Sequence, residues 1–343
     1  MPRKKSMTAS HSLSFKALFT RYVETINRRL AQVAAEELSG SPDSLYAPAR
    51  YMLSLGGKRL RPALTLLICD LLGGDVTTAE RPAVAVEMFH NFTLIHDDIM
   101  DKALLRRNQP TVHEKWDLNT GILSGDLLLI YAYKILTAQD HPRLLEILHL
   151  FNKTAVEVCE GQQYDMDFER RMDVTEEEYL CMITLKTATL LGACLQLGGI
   201  LADAPTKLKT QLYSFGKDLG IAFQIQDDIL DLYGEREKVG KQQGGDIIAN
   251  KKTFLFIKAL ELATPEDRQR LRQLFSNETS LPPNEKVAAV QEIFDRYDVY
   301  HHTCRIRDAY YERAMHTLQT LPVTADIRQV LTLLARGIVY RDR

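Results

Sequence analysis

Cysteine is sparse, with five thiols in 343 residues at Cys69, Cys159, Cys181, Cys194 and Cys304. They are odd in number and scattered, and most of their neighbours are apolar. That excludes a disulfide scaffold and points to buried thiols of a reducing, cytoplasmic setting. "HHTC" at 301–304 has no second Cys/His pair nearby, so no structural zinc site is expected there. Net charge is also nearly missing: −2, from 43 basic and 45 acidic residues. No general field therefore draws the chain to nucleic acid or to an anionic membrane. Phosphate-binding GxxxxGK[ST] and GxGxxG sequences are absent, as is a G-x-S-x-G nucleophile elbow. No apolar run reaches the ~18–20 residues of a membrane span. The opening "MPRKKSMTASHSLSF" is basic without an apolar stretch, so it reads as a flexible tail over about 1–12, not a secretory signal. No Ser/Gly/Pro-rich linker divides the chain, and a single domain over 1–343 is expected.

What is present is helix. The apolar share of 45% is enough for a large core. "SFKALFTRYVETINRRLAQVAAEEL" (14–38) repeats its apolar residues at three- and four-residue steps. "RPALTLLICDLLGG" places Pro62 near a helix start and Gly73-Gly74 at its end. "PAVAVEMFHNFTLIHDDIMD" (82–101) is apolar almost all round, as a central buried helix is. Thr175 with Glu178 has the form of a capping box. No run alternates as a strand. The expected fold is all-α, ten or more helices around a central apolar cavity. Its longest non-helical stretches fall at about 102–117, 234–252 and 278–284.

Two of those stretches follow matching acidic patterns, "HDDIMD" (96–101) and "QDDILD" (226–231). On a helix, positions i and i+4 are ~40° apart and i, i+1 are ~100° apart. Asp97, Asp98 and Asp101 thus share one face, and so do Asp227, Asp228 and Asp231. Like charges so placed repel and raise one another's pKa unless a cation neutralises them. Hard divalent ions meet that need, and Mg²⁺ commonly divides its ligands between carboxylates and a substrate phosphate. Cations stand close by in the sequence. "GGKRLRP" (56–62) gathers Lys58, Arg59 and Arg61, "LLRR" brings Arg106 and Arg107, and Lys186 lies in apolar "ITLKTATLL". Lys241, Lys251 and Lys252 follow the second acidic pattern. Arginine forks and lysine point charges beside metal-binding acids suit a diphosphate.

Taken together, "GGKRLRP", "LIHDDIMD…LLRR…PTVHEKW", "GQQYD", "KTATLL", "FQIQDDILD" and "GKQQGGD…NKKT" resemble the trans-isoprenyl diphosphate synthases of the polyprenyl synthetase family. The match is in the family's order and spacing and covers roughly 50–260. The resemblance implies that Asp97, Asp98, Asp101, Asp227, Asp228 and Asp231 hold or orient two or three Mg²⁺ ions on the diphosphate of an allylic substrate. Arg106, Lys186, Lys241 and Lys251 would complete that clamp. Lys58, Arg61, His90 and Arg107 would bind isopentenyl diphosphate, with Thr187 and Gln224 lining the allylic reaction centre. Lys252 receives no role. The implied reaction departs through diphosphate loss, attack by the isopentenyl double bond and proton loss to the released diphosphate. It needs no protein nucleophile, but it does need water excluded.

Product length would be set upstream of the first acidic pattern. Thr93 lies ~6 Å back from Asp97 on about the same face, and Phe89 lies ~12 Å back. The family's gate positions, four and five before the first Asp, hold Thr93 and Phe92 here. One aromatic and one small residue, with no insertion between the second and last acids, resemble producers of C20 geranylgeranyl diphosphate. Phe89 would be the floor, and C15 farnesyl diphosphate is the alternative product. A terpene cyclase and a non-catalytic partner subunit are the competing readings. The first has no use for "GGKRLRP", and the second usually loses acids or cations that this chain keeps. The family is usually homodimeric.

Overall fold

The structure is a computed structural model and describes residues 8–138, 141–234, 244–276 and 281–340. It is all-α. The chain forms two compact units, each built from three segments. The first comprises Met1–Phe151, Ala193–Leu212 and Pro322–Leu333; the second comprises Asn152–Gly192, Tyr213–Leu321 and Leu334–Arg343.

In the first unit, α1 (Thr8–Glu36), α2 (Asp43–Ser54) and α3 (Leu60–Leu71) surround α4 (Val76–Met100). Residues 8–12 are thus in helix, while 1–7 of the expected tail lie outside the described residues. Helix α4 starts six residues before the expected 82, because Asp75 caps it by accepting from the Thr77 N–H. Pro82 is carried inside it near the N-terminus. Ala83, Met88, Phe89 and Ile95 are buried, as the all-round apolar pattern requires. After α4 a two-residue hairpin intervenes, β1 (Leu105–Arg106) antiparallel to β2 (Gln109–Pro110). Then come α5 (Val112–Lys115) and α6 (Leu118–Thr137), which packs along α4. The hairpin was not legible as strand because four residues are too few to alternate.

The second unit includes most of α7 (Leu144–Glu169), all of α8 (Glu176–Ile183), and the larger part of α10 (Thr206–Tyr233). The Thr175/Glu178 capping box at the start of α8 is formed in both directions. Helix α8 continues through a π-helical turn, Thr184–Ala188, into α9 (Thr189–Leu201). Short α11 (Gly245–Ile248) falls within a stretch expected to be loop. Then follow α12 (Phe254–Leu262), α13 (Pro265–Leu274), α14 (Pro283–Arg296), α15 (Val299–Thr320) and α16 (Ala325–Val339). The core of this unit gathers Ile183, Ile225, Ile229, Phe254, Phe256, Ile293 and Phe294. One expectation is corrected. The helical run Glu176–Leu201 is long and apolar enough to cross a membrane by length and composition. Thr184, Lys186, Thr187 and Thr189 interrupt it, so no unbroken apolar run shows in the sequence. It serves as a core helix, with 61% of its apolar window buried.

Candidate functional site

In the first unit the acidic pattern closes α4, with Asp101 as its C-cap. The hairpin turns the chain back so that Arg106 reaches the same end. Its Nε donates to Asp98 at 2.9 and 2.8 Å, and its Nη2 donates to Oδ1 at 2.6 Å. Asp97 lies 3.7 Å from that Nη2. Burial pushes the Asp98 carboxyl above its ordinary range, and the guanidinium fork offsets only part of that rise. Arg107, in the left-handed region at φ 54°, turns the other way and donates to the Gly56 carbonyl.

The "GGKRLRP" stretch separates its cations. Arg59 is fully committed to structure, donating to Glu87 at 2.6 Å, to the Leu53 carbonyl and to Asn27. Lys58 is exposed. Arg61 contacts His90 Nε2 at 3.1 Å, and its Nε is buried without a hydrogen-bond partner among the described residues. Burial, followed by the Arg61 charge, pushes His90 well below the ordinary range. His90 is therefore neutral and accepts at Nε2 from Arg61, which places its proton on Nδ1. Burial lowers Arg61 too. This guanidinium faces a neutral ring, with the Glu87 charge only partly offsetting its burial.

The gate residues pack into an aromatic chain. Phe89 meets Phe92 at 5.7 Å and Phe151 at 5.3 Å, and Phe92 meets the His96 ring at 4.8 Å. Thr93 donates to the His90 carbonyl at 2.8 Å, one turn back.

In the second unit the π-turn carries Lys186 and Thr187, a widening often found at functional positions. Two glycines let other helices approach it. A methyl on Gly161 of α7 would overlap the Lys186 backbone nitrogen, and one on Gly220 of α10 would overlap Ala188. Lys186 and Lys251 both donate to Asp165 Oδ2, at 2.6 and 3.1 Å. Burial opposes ionisation of Asp165, but the two ammonium groups outweigh it and hold the carboxylate below its ordinary range.

A polar relay reaches the second acidic pattern. Thr187 donates to Gln224 Oε1 at 2.9 Å, and Gln224 Nε2 donates to Asp228 Oδ1 at 3.0 Å. Tyr179 donates to Asp228 Oδ2 at 2.5 Å. Burial pushes Asp228 up to about 7; the two hydrogen bonds lower it, and the Asp231 and Asp165 charges raise it. Asp231 Oδ2 accepts from the Asp246 N–H at 3.0 Å. Burial, then Asp231 and Asp228, push the Asp246 carboxyl well above its ordinary range.

Sequence reading did not single out Asp165, Tyr179 or Asp246. Asp165 and Asp246 did stand inside the quoted "GQQYD" and "GGD"; Tyr179 gave no signal. Lys241 lies outside the described residues.

The donor set suits a hard cation. The Asp231 charge helps to raise the Asp228 and Asp246 carboxyls, a crowding that a divalent ion would relieve. Among the described residues, no three acid, imidazole or thiol groups meet closely enough to hold an ion alone.

The polyprenyl synthetase family model matches residues 42–295. The chain belongs to that family. It is a short-chain trans-prenyltransferase of isoprenoid biosynthesis. It is 35% identical over 330 residues to the geranylgeranyl diphosphate synthase of Sulfolobus acidocaldarius, covering 95% of this chain and 99% of the relative. It is 42% identical over 236 residues to the geranylfarnesyl diphosphate synthase of Natronomonas pharaonis, covering 64% of this chain and 69% of that relative. Among solved structures, the geranylgeranyl pyrophosphate synthetase of Pyrococcus horikoshii superposes with a TM-score of 0.87 at 36% identity. That alignment covers 96% of this chain and 99% of that one.

Proposed function

We propose that this prenyltransferase condenses isopentenyl diphosphate with dimethylallyl, geranyl or farnesyl diphosphate and releases C20 geranylgeranyl diphosphate. Asp97, Asp98, Asp101, Asp227, Asp228 and Asp231 hold two or three Mg²⁺ ions, and Asp246 joins them. The observation that carries the reading is a buried cation on one side and crowded buried acids on the other. The Arg61 Nε is buried without a hydrogen-bond partner among the described residues, whereas the Asp228 and Asp246 carboxyls are both pushed up by burial and by neighbouring acids.

Arg61, neutral His90, Lys58 and Arg107 receive the isopentenyl diphosphate. Lys186 and Lys251, with Arg106 and Lys241, hold the allylic diphosphate, and Asp165 accepts a hydrogen bond from each of the first two. Thr187 and Gln224 line the allylic carbon. Mg²⁺, when bound, neutralises the departing diphosphate. Phe89 and Phe92 close the path of the growing chain, and Thr93 leaves it room. Residues 1–343 are read as a single catalytic domain.

The free thiols at all five cysteines support a reducing, cytoplasmic setting. Leu118, Ile122, Leu123 and Ile130 are exposed on α6, a surface that supports a homodimer. Incubation with Mg²⁺, isopentenyl diphosphate and labelled allylic diphosphate tests the reaction. Elongation to C20 is the expected result. A C15 or C25 end point overturns the product assignment. A cyclic hydrocarbon would make the chain a cyclase, and reproducible inactivity of the folded protein would make it a partner subunit.

A further inference from the structure

Two lysines outside any assigned role are buried in the second unit, Lys252 at 3% exposure and Lys286 at 4%. Among the described residues, neither ammonium is paired with a carboxylate. A buried, unpaired ammonium is costly, and a Met of similar volume would pack there more cheaply. Both cations are spent on one short turn instead. Lys252 donates to the Asn250 carbonyl at 2.6 Å and to the Glu169 carbonyl at 3.2 Å. Lys286 donates to the Asn250 side-chain oxygen at 2.6 Å and to the Ile248 carbonyl at 3.4 Å. Glu169 ends α7 and Ile248 ends α11, so the acceptors include carbonyls that a helix end leaves unsatisfied. The Phe275 ring takes both ammoniums, at 5.6 and 5.4 Å. Burial pushes the Lys252 amine down to about 8. A neutral amine still has two N–H groups for its two carbonyls, so the contacts survive deprotonation.

The turn they grip has a consequence for its neighbour. Asn250 is left-handed, at φ 58°, and follows the Ala249 cap of α11. From that reversal Lys251 runs to Asp165 and Lys252 runs to the Glu169 carbonyl. Those acceptors are four residues apart on α7, one helical turn. Successive lysines thus fasten to successive turns of one helix, and Lys286 holds the turn from the α14 side.

We propose that Lys286 and Lys252 are positioning residues for Lys251: by fixing the Asn250 turn they deliver the Lys251 ammonium to the allylic diphosphate. This rests on the reading of Lys251 as a diphosphate clamp. Nothing in the reaction touches Lys286 itself, and its effect passes through Lys251.

A double-mutant cycle on the full-length protein separates this role from simple packing. The readout is the Kd of a non-reactive allylic thiolodiphosphate in Mg²⁺, measured by calorimetry, with KM for isopentenyl diphosphate as the control. Lys286→Met is expected to weaken analogue binding about tenfold while leaving the isopentenyl KM within about twofold. In a Lys251→Ala background the same change is expected to add nothing, because the group it positions is gone. Equal losses in both backgrounds, an unchanged Kd, or parallel loss for isopentenyl diphosphate would overturn the proposal. Unchanged binding in Lys251→Ala alone removes the clamp reading, and this inference falls with it. If Lys286→Met melts below the assay temperature, Lys286→Gln enters the same cycle with the same expected outcomes.

Discussion

The two acidic patterns share one spacing and differ in surroundings. At the end of α4, Asp98 is held by three hydrogen bonds from Arg106, so its charge is already answered. At the end of α10, Asp228 accepts, among the described residues, from the neutral donors Tyr179 and Gln224, with Asp231 and Asp246 beside it. The nearby lysines, Lys186 and Lys251, are engaged with Asp165. Among the described residues, the same Asp-Asp-x-x-Asp thus builds one carboxylate held by an arginine fork and one held by neutral donors. Burial raises both carboxyl groups, and what separates them is whether an arginine fork answers it. A motif specifies which atoms are offered; the neighbours decide how strongly they call for a cation.

The largest test of that difference substitutes both acids. Asp98→Asn and Asp228→Asn are each expected to lower kcat by about 100-fold or more, measured as C20 formation. Their effects on metal-free thermal stability at pH 8 should have opposite signs. Asp98→Asn strands Arg106 and costs about 2 kcal/mol, whereas Asp228→Asn removes a buried charge and raises the melting temperature. Equal signs would erase the distinction between the patterns. Next, Phe89→Ala is expected to cost about 3 kcal/mol, since the ring is fully buried against Phe92 and Phe151. Phe89→Ala or Phe92→Ala should also lengthen the product, read by chromatography of dephosphorylated prenols. Unchanged length in both variants would leave these rings as packing alone.

A third test uses pH. The Asp228 carboxyl is raised to about 7. Its native form binds a proton that the unfolded chain releases near pH ~4. The stability it contributes is therefore complete below pH ~4 and is lost as pH rises through about 7. Denaturant unfolding of the metal-free protein should show a fall of about 2 kcal/mol between pH 5 and pH 7 from Asp228, so that Asp228→Asn loses less stability than the parent over that range. The smallest effect compares glycines of the two units. Gly161→Ala drives a methyl into the Lys186 backbone and is expected to cost about 1–2 kcal/mol, with weaker allylic binding. Gly121→Ala meets only the tip of the Ile99 side chain and should cost less. Melting curves of the two variants check the order.

Much of the site could be read along the chain because the acids and cations stand in short, ordered stretches. The candidates Asp97, Asp98, Arg106, Lys186 and Lys251 were named that way. Arg59 shows the limit. It sits between Lys58 and Arg61 in one basic stretch, yet it is consumed by Glu87 and by main-chain oxygen. Tyr179 was invisible because a tyrosine in an apolar helix looks like core until its hydroxyl is seen on Asp228. Lys286 lies in no motif at all. The long apolar run of Glu176–Leu201 was missed because hydroxyls and Lys186 punctuate it, although the helix passes unbroken through them.

The sequence by itself determined the all-α class, the two acidic patterns, their basic neighbours and the family. Periodicity and spacing are local properties, and local order survives in the chain. Only tertiary structure decided how each cation and each carboxylate is held. Those are properties of burial and of partners distant in sequence. Arg61 meets His90 on another helix, a ring that burial and the Arg61 charge keep neutral. Asp228 is pushed up to about 7 because helix packing buries it, with other acids nearby, and the hydrogen bonds from Tyr179 and Gln224 offset only part of that rise.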